Sequence, residues 1–227
     1  LAIIPAEDTD AGMAWLWKRA PSYFDCVAFS GNSTAGRTVS HNLGVAPEMI
    51  WVKERSGNSG GRNWAVYHSA LGSTKYLFLN TTAAEATSSG LWNDTNPTSS
   101  VFSVGTANDT NKSGNTYIAY LFSTLAGVSK VGSYTGTGGT PQNIDCGFTS
   151  GARFVLIKKS SGTGDFWVFD TARGIVSGND PALNLNTTDA EDNSYDMIDP
   201  YSAGFTVTDA GYDMNESGST YIFYAIA

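Results

Sequence analysis

The sequence predicts an all-β protein made of two tandem, homologous β-sandwich units, jelly-roll-like, each with at most one short helix. Charged residues make up only 15% of the chain, and 25 residues are glycine. This composition favours short strands and turns over amphipathic helices. Short apolar runs also alternate with polar turn segments, as in the strands of a sandwich. The second half of the chain repeats the first.

The internal repeat is read directly from the letters, at an offset of about 104 residues. Residues 111–120 (NKSGNTYIAY) and 215–224 (NESGSTYIFY) share seven of ten positions. Residues 79–85 (LNTTAAE) match 185–191 (LNTTDAE) in the same order along the chain. We therefore predict three parts, which are an N-terminal connector over 1–25, a first unit over 26–126 and a second unit over 127–227.

Each unit carries an apolar run, a Gly/Ser/Asn turn segment and then an aromatic-rich run. This order predicts a β-hairpin in both copies. The three segments lie at 49–53, 56–61 and 64–67 in the first unit and at 154–158, 160–164 and 166–169 in the second.

Two segments carry a helix-start signal, in which Thr is followed by Ala and Glu. They lie at 81–88 and 187–192. We therefore expect one short helix or helical turn in each unit, at these two places.

The N-terminal stretch 1–21 lies outside the repeat and contains the apolar segment 13–17 (MAWLW). We expect this segment to dock on the body of the protein or on a neighbouring subunit, with Trp15 and Trp17 as the candidate subunit contacts. Because the chain opens with Leu1 instead of Met, we expect the stretch to connect to an upstream part.

The formal net charge is −8 and the pI is near 4.6. Such a chain repels phosphate backbones, which excludes nucleic acid as the main ligand. No apolar run approaches the roughly 20 residues of a membrane-spanning helix, so we predict no membrane insertion. Cys26 and Cys146 are the only cysteines. We expect buried thiols, with a single disulfide as the alternative.

Only two histidines, His41 and His68, are available as catalytic bases. His68 aligns with Asp170, and His41 has no histidine counterpart in the second unit, so a triad would belong to one copy alone. We predict that the protein is not an enzyme. The second unit is rich in aspartates, whose carboxylates make calcium a candidate ligand. A solvated acidic surface is the favoured interpretation of these aspartates, and no other cofactor is expected. They are Asp170, Asp180, Asp189, Asp192, Asp196, Asp199, Asp209 and Asp213.

Exposed aromatic rings beside Asn and Asp side chains are typical of carbohydrate-binding sites. When the two copies are aligned, Trp64 and Trp167 fall in the same predicted strand, so we predict that both are core anchors. Trp92 has no Trp partner in the second unit and precedes Asn93 and Asp94, which makes these three residues candidates for a surface site. The acidic segment of the second unit supplies further candidates, Asp189, Asp192 and Asp196.

Four stretches carry a family resemblance: residues 36–47 (GRTVSHNLGVAP), 91–95 (LWNDT), 173–181 (RGIVSGNDP) and the Asn-x-Ser-Gly-x-Thr-Tyr motif of both copies. From about Trp15 onwards the chain resembles a domain that is repeated in predicted tail-fibre and appendage proteins of marine bacteriophages. The resemblance implies a location in the virion, on the tail or the outer surface, and a role in adhesion to the host surface or in assembly.

The resemblance also implies partners. These are other virion proteins, a host-surface glycan and further copies of the chain, because phage fibres are usually homotrimers. The family offers no catalytic residues to carry over. A purely architectural virion protein, such as a capsid decoration or fibre shaft, is the alternative, and a glycan depolymerase is the second alternative.

Overall fold

The computed structural model describes residues 2–5, 13–56, 61–208 and 214–227. Over these residues the chain is almost entirely antiparallel β structure, which confirms the all-β prediction. Most of the predicted turn at 56–61 lies outside the described residues, as do Asp209 and Asp213.

The N-terminal part and the first unit contain ten strands and two helical turns. They are β1 (Ala2–Pro5), β2 (Met13–Leu16), β3 (Phe24–Ser30), β4 (Arg37–Ser40), β5 (Met49–Ser56), β6 (Ala65–His68), β7 (Lys75–Phe78), β8 (Ala86–Thr87), α1 (Ser89–Trp92), β9 (Val101–Val104), α2 (Asn108–Asn111) and β10 (Thr116–Phe122). The second unit contains β11 (Ser129–Thr135), β12 (Gln142–Asp145), β13 (Phe154–Lys159), β14 (Phe166–Asp170), β15 (Leu183–Asn184), β16 (Ile198–Tyr201), β17 (Gly204–Val207) and β18 (Thr220–Ile226).

Both units arrange their strands in the same order. The large sheet of the first unit runs β3-β10-β5-β6-β7-β8, and that of the second runs β11-β18-β13-β14-β15. In each, three consecutive strands form a meander and the last strand of the unit returns beside the first of them, which is a Greek key. A smaller sheet, β4-β9 in one unit and β12-β17-β16 in the other, covers one face of the large sheet.

The other faces of the two large sheets pack against each other, and we call this layer the seam. Alternation along β5 shows how one strand serves both layers, because successive side chains point to opposite faces. Ile50 and Val52 lie in the core of the first unit, whereas Met49 and Trp51 lie in the seam. From the second unit the seam receives, among others, Phe154, Leu156, Ile222 and Tyr224. Each large apolar side chain contributes roughly 1.5–3 kcal/mol when fully buried, so the seam joins the units firmly.

The predicted helices at 81–88 and 187–192 are wrong. The two helical turns that the described residues contain are α1 and α2, both in the first unit. Segment 81–85 instead hydrogen-bonds to the second unit, in which Glu85 N donates to Ser160 O (2.9 Å) and Gly164 N donates to Thr82 O (3.0 Å). These long-range hydrogen bonds override the local helix signal.

The Asn-x-Ser-Gly-x-Thr-Tyr motif has a structural role in both units. Asn111 is fully buried, and its amide accepts from Asn32 N (3.0 Å) and donates to Thr34 O (3.0 Å) and Gly105 O (2.7 Å). It therefore ties the loop after β3 to the loop after β9. Its counterpart Asn215 is equally buried and makes the same kind of tie. The amide of Asn215 accepts from Thr137 N and Gln142 Nε2 and donates to Thr140 O.

The tyrosine of the motif closes the turn that precedes it. Tyr117 Oη donates to Asn108 O (2.8 Å) and accepts from Lys112 N (2.8 Å), and Tyr221 Oη accepts from Glu216 N (3.0 Å). Both rings are fully buried. These contacts explain by structural needs alone, without a ligand, why the motif is present in both units.

The two cysteines are free thiols, so the disulfide alternative is wrong. Cys146 is buried, as expected, and Cys26 is half-buried on β3. In the part of the chain that the structure describes, no helix has the length and apolar character to cross a membrane.

A candidate ligand pocket at the seam

The prediction that the ring of Trp92 forms part of a surface site is wrong. Trp92 ends α1, whose apolar side faces the core of the first unit, and only 1% of the residue is exposed. Its ring packs edge-on against Tyr67, with centroids 5.9 Å apart. Asn93 and Asp94 follow in the left-handed conformation (φ 53° and 48°) and form the turn that ends the helix. A buried ring cannot stack on a sugar.

The acidic candidates of the second unit lie in the segment between β15 and β16. Asp192 accepts from Ser194 N (2.9 Å) and Asp196 accepts from Thr208 Oγ1 (3.0 Å), while Asp189 is exposed. Among the described residues, no three His, Cys, Asp or Glu side chains are grouped as a metal site would require.

The two histidines stabilise turns. His41 Nδ1 accepts from Leu43 N, and its Nε2 lies 3.2 Å from Thr98 O. His68 Nδ1 accepts from Ala70 N (3.2 Å), and burial lowers the pKa of this ring to about 4. Asp170 occupies the equivalent position at the end of β14, and its carboxylate accepts from Ala172 N (3.0 Å) in the same way. The aligned His and Asp therefore perform one structural task.

A pocket of about 430 Å³ opens at the edge of the seam, and we call it the seam pocket. Three walls form it: the outer face of the first unit's large sheet, the facing sheet of the second unit, and the N-terminal segment. Its lining consists of Trp15, Trp17, Phe24, Trp51, Trp64, Leu79, Asn80, Tyr120, Phe122, Phe154, Val168 and Leu185. Of the eight candidate site residues named from the sequence, Trp15 and Trp17 line this pocket and the other six do not, so this site was not predicted as a unit.

The first wall presents flat aromatic surface. Trp51 and Tyr120 are direct partners across β5 and β10, so their rings share a face of the sheet. Trp64, one residue before β6, is half-buried, and its ring lies nearly parallel to that of Tyr120 (centroids 6.2 Å apart, planes at 16°). Trp64 is therefore a partly accessible ring on a rigid sheet, which a ligand can stack against.

Asn80 places an amide at the rim of the pocket. Its Oδ1 accepts from Trp64 N (2.9 Å) and its Nδ2 donates to Asn63 Oδ1 (3.0 Å), which fixes the orientation of the side chain. An amide has two N–H donors and two acceptor lone pairs. One donor and one lone pair of the exposed Asn80 therefore remain for a ligand.

The N-terminal segment forms the third wall, and its docking on the body is confirmed. Trp17 packs on Phe122 of the first unit (6.1 Å) and on Phe154 of the second (5.7 Å). Trp15 Nε1 donates to Asp170 Oδ2 (3.1 Å), a carboxylate that also accepts from Arg173 Nε (2.7 Å). Since both indoles are half-buried against their own chain, a subunit contact made by β2 would use its other face.

The prediction that Trp64 and Trp167 are equivalent core anchors is wrong. Strand register pairs Val52 with Ala65 but Ile157 with Trp167, so Trp167 corresponds to Ala65 and Trp64 corresponds to Phe166. The two indoles therefore point to opposite faces of their sheets. Trp64 lines the seam pocket, and Trp167 packs against the core of the second unit.

A second cavity between the units, of about 420 Å³, has a different character. Lys75 and Glu85 line it and form an ion pair with each other. Its tyrosines, Tyr134 and Tyr221, stack on one another (4.8 Å, 7°) and are buried. The seam pocket is therefore the better candidate for recognition by aromatic stacking.

Comparison with known proteins gives one finding. A family model described as a domain of unknown function (DUF7483) matches residues 13–227. No curated protein and no solved structure matches the chain significantly.

Proposed function

Because the chain belongs to the DUF7483 family, a domain of unknown function, we propose its function from the seam pocket and the sequence resemblance. The chain is a non-enzymatic binding module of a bacteriophage tail fibre or appendage. Its seam pocket holds a sugar ring of a host-surface glycan and thereby contributes to attachment.

One observation carries this proposal: the half-buried ring of Trp64 lies beside the fixed amide of Asn80. The C–H face of a sugar ring packs on an aromatic plane, while its hydroxyl groups exchange hydrogen bonds with an amide. Trp64 directly precedes β6 and Asn80 lies in the turn after β7, at the end of a sheet that is buried on its other face. The site is thus pre-organised, which lowers the entropic cost of binding.

The acidic, turn-rich surface and the resemblance to phage appendage domains support a location on the outside of a virion. In a homotrimer, the outward face of β2 is a suitable contact, because Leu16 is 50% exposed there. Other virion proteins would then contact the module on this side.

The test is glycan-array binding by the wild type and two tryptophan variants. Trp64→Ala should abolish binding to any glycan that the wild type retains. Trp167→Ala is the matched control, because it removes a second half-buried indole outside the pocket. Near-ultraviolet circular dichroism establishes that both variants are folded. Equal loss of binding in the two variants, or a wild type that binds neither the array nor intact host cells, would contradict the proposal.

A purely architectural virion role is the second candidate. It is favoured by the lining of the seam pocket, in which Asn80 is the one amide side chain among aromatic and aliphatic groups. Such a surface also suits an apolar side chain of a neighbouring virion protein. Trp64→Ala would then weaken particle assembly and leave sugar binding unaffected, which separates the two candidates.

A further inference from the structure

We infer that the ligand of the seam pocket is an acidic saccharide, with a carboxylate or sulfate group next to the ring that stacks on Trp64. The inference rests on the proposed function and adds the charge of the ligand to it. Two cations near lining residues of the pocket carry it, Lys53 over the ring of Trp64 and Arg55 on the same strand, with its charge acting on Tyr120.

Lys53 follows Trp51 on the same face of β5. Its Nζ lies 5.7 Å from the centroid of the Trp64 ring and donates to Arg62 O. An ammonium group has three donors, so further N–H bonds of Lys53 are available to a ligand on Trp64. Within the described residues no carboxylate pairs with Lys53, and the neighbouring residues 57–60 (GNSG) contain no acid.

Arg55 is the extra residue of a β-bulge. The register between β5 and β10 shifts between Thr116 and Tyr117, which leaves Arg55 unpaired in the ladder. Its charge nevertheless reaches the pocket face. Burial raises the pKa values of Tyr120 and Cys26, and the positive charge of Arg55 opposes both shifts. Arg55 is exposed, and none of the ion pairs in the described part of the chain includes it.

Two arginines near this face are already neutralised. Arg19 pairs with the buried Asp25 (2.6 Å), and Arg62 lies 3.7 Å from Glu54. Lys53 and Arg55 therefore form a local positive site on a chain whose net charge is −8. A neutral sugar would leave these two charges unused, whereas an anionic group on the ligand gains charge-assisted hydrogen bonds from them.

Matched polysaccharide pairs test this inference directly. Binding is measured by biolayer interferometry to polygalacturonate and to its methyl ester, to alginate and to its propylene glycol ester, and to carrageenan and agarose. The first member of each pair carries carboxylate or sulfate groups, and the second lacks most of them. We expect at least one acidic member to bind about tenfold tighter than its neutral partner at low salt, a difference that falls as salt screens the charges.

Two charge variants locate the effect. Lys53→Met and Arg55→Gln should each weaken binding of the acidic probe severalfold and leave the neutral probe unchanged. Lys130→Met is the matched control, since Lys130 lies on β11 and faces away from the seam, near Cys146. Unfolding midpoints in urea verify that all three variants retain the fold.

The outcomes separate the inference from the proposed function. Equal binding to both members of every pair, abolished by Trp64→Ala but not by Lys53→Met or Arg55→Gln, overturns the acidic ligand and leaves glycan binding in place. An acidic preference that Lys130→Met reduces as much as Lys53→Met also overturns it, because the attraction is then not local. Binding to none of these probes and to no host cell overturns both.

Discussion

Removal of the buried amide of Asn111 should destabilise the protein strongly. Asn111→Ala deletes the acceptor for Asn32 N and the donors to Thr34 O and Gly105 O. A hydrogen bond of this kind contributes about 1 kcal/mol, and a buried group left without a partner adds to the loss. We expect the free energy of unfolding to fall by about 3–4 kcal/mol. For a chain of this size, that corresponds to a decrease in Tm of about 6–16 °C.

The assay is urea unfolding followed by tryptophan fluorescence, with a thermal melt by circular dichroism. Asn108→Ala is the control, because Asn108 lies in the same helical turn and its side chain is exposed. It should change the free energy of unfolding by less than about 0.5 kcal/mol. Asn111→Asp separates hydrogen bonding from packing. It keeps the volume, but places an oxygen against Thr34 O and Gly105 O, so it should be at least as destabilising as Asn111→Ala.

Two results would refute this reasoning. A loss below about 1 kcal/mol in Asn111→Ala would mean that the amide is not what holds the two loops together. A stable Asn111→Asp would mean that the donated hydrogen bonds contribute little. Either result would remove the physical explanation for the repeated motif.

Three further predictions concern the N-terminal contact, a buried acid and the thiols. Trp15→Phe should lower the free energy of unfolding by about 1–2 kcal/mol in urea titrations, because Asp170 loses one donor; no change would mean that the segment is not held by this bond. Burial raises the pKa of Asp180 to about 6, so the folded state binds more protons than the unfolded state between about pH 4 and 6. The stability of the wild type relative to Asp180→Asn should therefore fall as pH rises through this window in urea titrations, and a flat difference would contradict the shift. Burial raises the pKa of Cys146 to about 12, so Ellman's reagent should label at most Cys26 in the native protein and both thiols in urea.

The sequence predicts the strands because their signals are local, and it predicts the repeat because the two halves share letters in the same order. Alternating or continuous apolar runs locate β5, β6, β13 and β14, and the repeated motif marks the last strand of each unit. The helix signals fail for a physical reason. Thr82 and Glu85 hydrogen-bond to a hairpin about 80 residues away, and no local pattern contains that partner.

The candidate site was missed because the alignment of the two copies slipped by one residue at the tryptophans. Matching Trp64 to Trp167 by letter makes both look like shared core residues, but a shift of one position in a strand moves a side chain to the opposite face. Lys53 and Lys158 provide the better guide. Each donates to a carbonyl across its hairpin, Arg62 O or Gly164 O, and each lies over an aromatic ring. That pairing aligns Trp64 with Phe166.

The same pair of lysines explains why Trp64 is partly accessible whereas its counterpart Phe166 is buried. Lys158 is 1% exposed, because segment 81–85 of the first unit crosses over it and Thr82 O accepts from its Nζ (3.1 Å). Lys53 instead contacts Arg62 O and the ring of Trp64 within its own hairpin, and it stays half-exposed. The duplicated hairpin thus supplies the same lysine and aromatic ring twice, and one copy is used to join the units. The other copy keeps its ring and its charge at the surface, where a ligand can reach them.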